Sequence, residues 1–363
     1  MKLLDVAIAG GGPAGAVAAM VLASRGLTVA VFEREPDAPS HVGDCLPADF
    51  APLIRKLNLE GNLNAGPHAR VHGNRAAWGS GEVHDFDSIL RKNGSGWRLD
   101  RRAFAAMLAC SAVECGALWN FGAMITSCRW KHDLWVLEVD TATGRKVVNA
   151  KFVMDATGRR ASIARGLGIA RFRHDKQLAV VGEFQNGTME DTFTLVETVP
   201  SGWWYSGLLG NGTLSVMFMT DSDLPEYSQA RLETGWLSLL RDAPHSAARV
   251  ETYGGSLNAP LRVWPAGSEQ LESIAGDYWL AIGDAAAAHD PVSSYGIGSA
   301  MGSGYYAAHA AAEMLSGTRE AQLAYLEVMQ RSYDAYLAGC IEQYQLETRW
   351  PNAPFWQARH KAG

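Results

Sequence analysis

The sequence predicts an α/β (α+β) fold: a parallel-sheet lobe that opens the chain, an antiparallel sheet inserted into it, and a C-terminal helical segment. Three observations predict it. Residues 5–9 (DVAIA) are a short apolar run ending in the glycine cluster Gly10–Gly12, followed by an alanine-rich stretch through Ser24. Strand, glycine turn and helix in that order open a βαβ unit. Four runs rich in β-branched and aromatic residues crowd positions 178–221, and from Ala300 onward the apolar spacing turns helical.

Taken in order, residues 28–33 (TVAVFE) read as the second strand and Arg102 to Cys115 as a second helix. Strand-like runs follow at Ala123–Trp130, Leu134–Asp140 and Lys146–Met154, the last two joined by an Ala-Thr-Gly hairpin turn. AVVGEF, TFTLVETV, GWWYSGLL and TLSVMFM then have the composition of an antiparallel sheet covered on one face. DYWLAIG (277–283) returns to a buried strand, Ala300 to Leu315 is an alanine-rich helix, and Ala321 to Thr348 a long amphipathic one with an aromatic, basic tail. The expected division is a discontinuous first domain (1–80, 98–175 and 265–320), a substrate domain (176–264 with parts of 80–98), and a C-terminal helix and tail (321–363).

Bulk properties exclude some functions. The net charge of −6 argues against general affinity for nucleic acid or anionic membranes. The five cysteines are scattered without a Cys-x-x-Cys pair, so neither zinc nor a disulfide framework is expected, and a reducing, cytoplasmic setting is. Asp5 and the glycine cluster make the first apolar run a strand and turn rather than a leader peptide. Ser24, Arg25 and Gly26 break the one long apolar stretch that could be taken for a membrane span.

The chemistry-bearing motif is Gly10-Gly-Gly12-Pro13-Ala14-Gly15. Gly10 permits the tight turn, Gly12 lets backbone approach a pyrophosphate, and Gly15 permits close helix–strand packing, with the helix N-terminus supplying partial positive charge. Glu33 ends the next strand about 20 residues on, where a carboxylate takes both ribose hydroxyls and disfavours a 2′-phosphate. The site is for FAD or NAD rather than NADP. Gly283-Asp284 closes a later strand, and Arg101-x-x-Phe104 opens a helix.

These three motifs, in this order, resemble the superfamily of FAD-dependent aromatic hydroxylases, flavin-dependent halogenases and geranylgeranyl-reductase-like enzymes. HVGDCLPADFAPLIRKL, GSGWRLDRRAFAAML, DATGRRASIAR, GWWYSGLL, GDAAAAHDPVSSYGIGSAMGSG and RWPNAPFW extend the resemblance over most of the chain. Within the superfamily it is most similar to halogenase-like monooxygenases, including the maturation flavoproteins of the LodB/GoxB type that oxygenate a tryptophan in a partner protein. The resemblance implies a Rossmann-like FAD lobe contacted by Gly10, Gly12, Pro13, Ala14, Gly15, Glu33, Arg34, Cys45, Leu46, Arg101, Met124, Asp155, Gly158, Gly283, Asp284, Pro291, Gly296, Ile297 and Gly298. It also implies that reduced flavin and O₂ form a C4a-hydroperoxide that oxygenates an electron-rich ring.

Departures from the family pattern choose between branches. Tryptophan halogenases combine an active-site lysine, a Trp-x-Trp-x-Ile-Pro motif and a glutamate after Asp-Pro in the flavin loop. Here the second motif reads Gly202-Trp-Trp-Tyr-Ser-Gly207, Ser293 follows Asp290-Pro291-Val292, and no lysine lies between Lys56 and Lys92. Halogenation is disfavoured, with Lys92 the one alternative ammonium; a solvated loop lysine is its other reading. Thr157 stands where hydroxylases place an aspartate beside glycine, in Asp155-Ala-Thr-Gly158, and there is no second glycine fingerprint. Electrons are therefore expected slowly from NAD(P)H, or as reduced flavin from another protein.

Trp203, Trp204 and Tyr205 are candidates for a substrate wall, with core packing the competing reading; on a strand, Trp204 must oppose its two neighbours. His289, Ser293 and Tyr295 are candidate catalytic groups beside the flavin loop, each with a structural alternative. Cys45 is either redox-active or a small filler. Tyr333, Tyr336, Tyr344, Trp350 and Trp356 either lid the pocket, form a partner surface or pack a helix on the core. The expected activity is hydroxylation of an aromatic group, with a peptidyl tryptophan in a partner oxidase as the specific case. The alternatives are a non-oxygenating prenyl-type reductase, a halogenase, a small-molecule aromatic hydroxylase, and a binding protein with structural FAD.

Overall fold

The computed structural model describes residues 3–38, 43–87, 94–185, 191–253 and 255–361. The first sheet runs in parallel through Trp279–Ala281, Gly144–Asp155, Leu4–Ala9, Val29–Glu33 and Leu118–Phe121. An antiparallel meander, Ala123–Lys131 and Leu134–Thr141, feeds into Gly144–Asp155. Helix Pro13–Ser24 is buried along most of its length because alanine and glycine let it lie close to its neighbours. A Cβ on Gly304 of helix Gly296–Leu315 would stand 2.2 Å from Ala14 O. Helix Arg101–Glu114 begins one residue earlier than its apolar spacing indicates, because the Asp100 carboxylate accepts from Ala103 N at 2.9 Å and caps it.

The second sheet is mostly antiparallel, in the order Ser256–Leu257, Gln177–Gln185, Thr213–Asp221, Gly202–Leu208, Phe193–Val199, Gly73–Ala77 and His84–Asp87. One junction departs from the expected pattern: Gly73–Ala77 joins Phe193–Val199 in parallel. Period-two alternation sorts the central strands. Val180, Trp204, Val216 and Phe218 face Trp236 and Leu240 from helices spanning 225–253, which the strand pattern did not reveal. On the other face Trp203, Tyr205, Met217 and Met219 pack with Tyr344, Phe355 and Trp356 from the C-terminal helices Glu320–Gln345 and Pro354–His360.

The C-terminal aromatics therefore pack on the core. Arg359 seals the contact, with Nη1 and Nη2 donating to the two oxygens of Asp221 at 2.8 and 2.9 Å and Nη2 also to Gln177 Oε1 at 2.8 Å. Among the described residues, no helix is long and apolar enough to cross a membrane, and no three His, Cys, Asp or Glu side chains gather as a metal site.

Candidate active site

The glycine fingerprint is shaped by contacts that exclude side chains. Gly10 has φ +102°, and a Cβ there would stand 2.3 Å from Ala156 O; one on Gly15 would stand 2.1 Å from Gly10 O. Gly12 faces open space, with nothing within 4 Å of its Cβ direction, and it begins helix Pro13–Ser24 without a side-chain cap. The first-turn N–H groups are thus left for an anionic group such as a pyrophosphate. Glu33 is buried, with Oε2 accepting from Gly11 N at 2.7 Å and Oε1 from Glu35 N at 2.9 Å. A carboxylate offers about four acceptor positions, so two remain for ribose hydroxyls.

Trp119, not anticipated from the sequence, lies against the same turn: a Cβ on Gly11 would meet its ring at 2.5 Å and Glu33 at 3.1 Å. Its indole Nε1 is buried without a partner. An orphaned donor beside a carboxylate with spare acceptors fits an adenosine. The available signal was an aromatic residue in register with Val31, next to the strand that carries Glu33. Arg34 is exposed and paired with Glu35 at 2.6 Å, and Met124 is exposed at the start of its strand.

The second and third motifs converge on the first. Gly283 has φ +59°, its added Cβ would stand 2.8 Å from Ala14 Cβ, and its N–H donates to Ser303 Oγ at 2.9 Å. Arg101 donates from Nη1 to Gly43 O. Burial lowers the Arg101 guanidinium to about 10 against the opposing pull of the Asp44 and Asp284 carboxylates. Asp284 is part-exposed with its carboxylate 3.9 Å from Arg159 Nε, and Arg159 also holds Gly267 O and His289 O.

Asp155 is expected among the flavin contacts, and its side chain organises its own turn. It is fully buried, and both oxygens are taken up by its own turn: Oδ1 accepts from Thr157 N and Oγ1 at 3.0 and 2.6 Å, Oδ2 from Ile163 N and Ala164 N at 2.8 and 2.9 Å. Thr157 completes this turn instead of offering a carboxylate. Gly158, at φ +63°, faces open space.

The flavin loop follows Asp290, whose Oδ1 accepts from Val292 N at 2.8 Å and whose Oδ2 accepts from Tyr344 Oη at 2.8 Å. Val292 packs into the aromatic cluster of Trp203 and Tyr205, so the loop borders that face of the second sheet. Gly296 is open, whereas a Cβ on Gly298 would stand 2.2 Å from the Phe50 ring; its missing side chain serves packing rather than cofactor approach. Ile297 is buried on the helix that follows the loop.

Asp290 is a titrating group in this loop. Burial, then the Asp175 charge, pushes its carboxyl up to about 6, against bonds from Val292 N and Tyr344 and the Arg359 charge. Its folded value lies above its unfolded one, so its stabilising contribution is complete below about pH 4 and is lost as pH rises through about 6. Asp290→Asn removes this titration, so its stability relative to wild type is expected to be about 2–3 kcal/mol more favourable at pH 8 than at pH 4. Urea unfolding across that range checks it; an unchanged difference between the two proteins at both pH values refutes it.

The candidate catalytic groups separate. Burial pushes His289 down to about 4, with Nδ1 unpartnered and the ring edge-on to Tyr336 at 4.4 Å, so it is neutral and weakly basic near pH 7. Ser293 Oγ donates to Asp290 O at 2.8 Å and serves the turn. Tyr295 is exposed, edge-on to Phe50 at 5.5 Å.

Of the proposed substrate wall, Trp204 is core, stacked on Phe218 at 4.7 Å and edge-on to Trp236 at 5.1 Å on the face away from the loop. Trp203 is buried and donates from Nε1 to Tyr344 Oη at 3.1 Å. Tyr205, on the same loop-facing side as Trp203, donates to Asp44 Oδ1 at 2.5 Å. Leu46 is fully buried in the core of the first lobe.

Asp44 and Arg98 were also missed, because nothing in the sequence shows that their two segments meet. Arg98 Nε stands 4.0 Å from Asp44 Oδ1, and Cys45 lies in register with Arg98. Burial raises the Cys45 thiol to about 11, so it remains protonated and unreactive. Thiol labelling with iodoacetamide at pH 8 is expected to reach exposed Cys110 first, with half-buried Cys45 and buried Cys340 much slower; Cys45 alkylation as fast as that of Cys110 would contradict this. Lys92 lies outside the described residues. Every described lysine (Lys56, Lys131, Lys146, Lys151, Lys176 and Lys361) is exposed.

Residues 5–234 match the FAD dependent oxidoreductase family, and the chain belongs to it. It is 29% identical to LodB of Marinomonas mediterranea, named as an FAD-dependent oxidoreductase, over 99% of this chain and 98% of that protein. Its fold is similar to the myxobacterial chondrochloren halogenase CndH (TM-score 0.89, 20% identity, 99% of this chain and 86% of that one). It is also similar to QhpG, a peptidyl tryptophan dihydroxylase essential for tryptophylquinone cofactor biogenesis (TM-score 0.81, 20% identity, 99% and 79%). The protein is thus an FAD-dependent oxidoreductase, and the open Gly12 turn, Glu33 and the orphaned Trp119 donor fit that cofactor.

Proposed function

We propose that this chain is an FAD-dependent monooxygenase that hydroxylates an aromatic group, specifically a tryptophan side chain of a partner oxidase with a protein-derived quinone cofactor. The carrying observation is the charge pattern of the site: every described lysine is exposed, and the buried groups near the loop include Asp44, Tyr205, Arg98 and Asp290. Among the described residues the site holds no buried ammonium, the group that the resemblance associates with halogenation. The match to LodB along nearly the whole of both chains, and the fold shared with a peptidyl tryptophan dihydroxylase, support the choice of substrate.

When bound, FAD supplies the electron transfer and oxygen chemistry. In this reading Gly12 and the first turn of its helix hold the pyrophosphate, and Glu33 and Trp119 the adenosine. Arg101 and Asp284 orient the ribityl chain, and the loop from Pro291 borders the ring. Tyr205 and Val292 line the aromatic face and keep water from the substrate. Reducing equivalents come from outside the chain, as NAD(P)H or from a flavin reductase.

The test is incubation of the FAD-loaded protein with a flavin reductase, NADH, O₂, bromide and a tryptophan-containing partner, followed by mass spectrometry. Oxygen-dependent gain of one or two oxygen atoms on tryptophan is the expected result. A brominated product favours the halogenase reading, and substrate reduction without O₂ uptake favours the reductase.

A further inference from the structure

We propose that the Asp44 carboxylate is the hydrogen-bond acceptor for the N–H or O–H group of the aromatic substrate, held in position by Tyr205 and Arg98. This rests on the aromatic-substrate reading above and names the group that recognises that substrate.

Asp44 stands where three parts of the site meet. The strand that begins at the next residue pairs Cys45 with Arg98, the Ser294 side chain of the flavin loop reaches the Cys45 thiol, and Tyr205 arrives from the second sheet. Burial and the neighbouring Asp44 charge hold the Tyr205 phenol well above its ordinary range, so it keeps its proton and donates it to Oδ1. Arg98 Nε is too distant for a hydrogen bond, and its outer nitrogens are committed to Thr194 Oγ1 at 2.7 Å and Leu208 O at 3.3 Å. Gly207 makes room for this: a Cβ there would stand 2.6 Å from the guanidinium carbon.

One carboxylate oxygen is therefore occupied. The other, Oδ2, has no donor although Asp44 is only 4% exposed. A buried carboxylate oxygen left bare is costly to a fold, and such atoms are rare away from functional sites. A donor carried in by the substrate relieves that cost with a charge-assisted bond shielded from water. A carboxylate only accepts, which sets the class: a ring bearing N–H or O–H, as in indole or phenol, and not its N- or O-methylated counterpart.

The test titrates indole, 1-methylindole, phenol and anisole into the FAD-loaded full chain and follows flavin absorbance. Wild type is expected to prefer indole over 1-methylindole and phenol over anisole by about tenfold, the scale of one hydrogen bond to a charged group. Asp44→Asn, nearly the same shape, is expected to cut both preferences to about threefold or less with FAD affinity unchanged, since a neutral acceptor makes the weaker bond. Tyr205→Phe, which leaves the carboxylate in place but unoriented, is expected to fall between them.

No preference in wild type, or equal preferences in wild type and Asp44→Asn, overturns the proposal. So does an Asp44→Asn protein that loses FAD instead of discrimination, which makes Asp44 a flavin ligand. A protein that discriminates but forms no oxygenated product refutes the monooxygenase reading and leaves the acceptor standing; oxygenated product without discrimination does the reverse.

Discussion

Asp155→Ala is expected to destabilise the protein by about 4 kcal/mol and to deplete it of FAD on purification. Three backbone N–H groups (Thr157, Ile163 and Ala164) and one hydroxyl end on its two oxygens in a fully buried setting. Removing the carboxylate strands the three N–H groups, each at about 1–3 kcal/mol, with partial relaxation lowering the sum. The loss reaches the cofactor because Ala156 O lies against Gly10 and Ala156 N donates to Ala9 O at 2.8 Å. Asp155→Asn keeps one acceptor oxygen and is expected to lose about half as much. Urea midpoints and the flavin-to-protein absorbance ratio give the two readouts. A change within about 0.5 kcal/mol for the alanine variant would mean that water replaces the carboxylate at no cost.

Arg359→Ala is the second large effect, at about 3–5 kcal/mol. The guanidinium spans both Asp221 oxygens and Gln177 Oε1, and its carbon stands 3.4 Å over the Phe355 ring. Asp221 is buried, so truncation leaves its charge without a partner beside the aromatic cluster, while Gln177 Oε1 keeps only its bond from Tyr344 Oη. Arg359→Lys keeps the charge but loses the two-pronged geometry, and an intermediate loss is expected. Limited proteolysis is the more telling measurement: cleavage between the helices ending at Gln345 and beginning at Pro354 is expected to accelerate in the alanine variant. Unchanged cleavage with unchanged urea stability would show that the aromatic packing alone holds this segment.

What could be read from the sequence follows from how local each feature is. The fingerprint glycines, Glu33 and the Gly283-Asp284 turn work through their immediate neighbours along the chain, so spacing alone marks them, and the structure gathers them around one helix. Asp155 was marked by the same logic, and its side-chain hydrogen bonds to the residues that follow, which organise the turn, were not. The Trp203–Trp204–Tyr205 run was legible as a strand whose middle residue opposes its neighbours. Which side meets the flavin loop depended on helices between 225 and 253, whose amphipathic faces only make sense once the sheet exists. Asp44, Arg98 and Trp119 were invisible for a simpler reason. The partners of each come from strands far away in sequence. Arg359 joins Asp221 and Gln177 across half the chain in the same way.

The seat of helix Pro354–His360 has a consequence for how the chain is made. The strands from Gln177 to Asp221 leave the ribosome well before the residues that cover their Trp203 and Met219 face. Until those residues follow, the nascent sheet offers water a flat, aromatic-rich surface beside a buried, unpaired aspartate. Such a surface is an invitation to aggregate or to recruit a chaperone. Expression at low temperature, or with holdase chaperones in excess, should therefore raise the soluble yield of Arg359→Ala more than that of wild type.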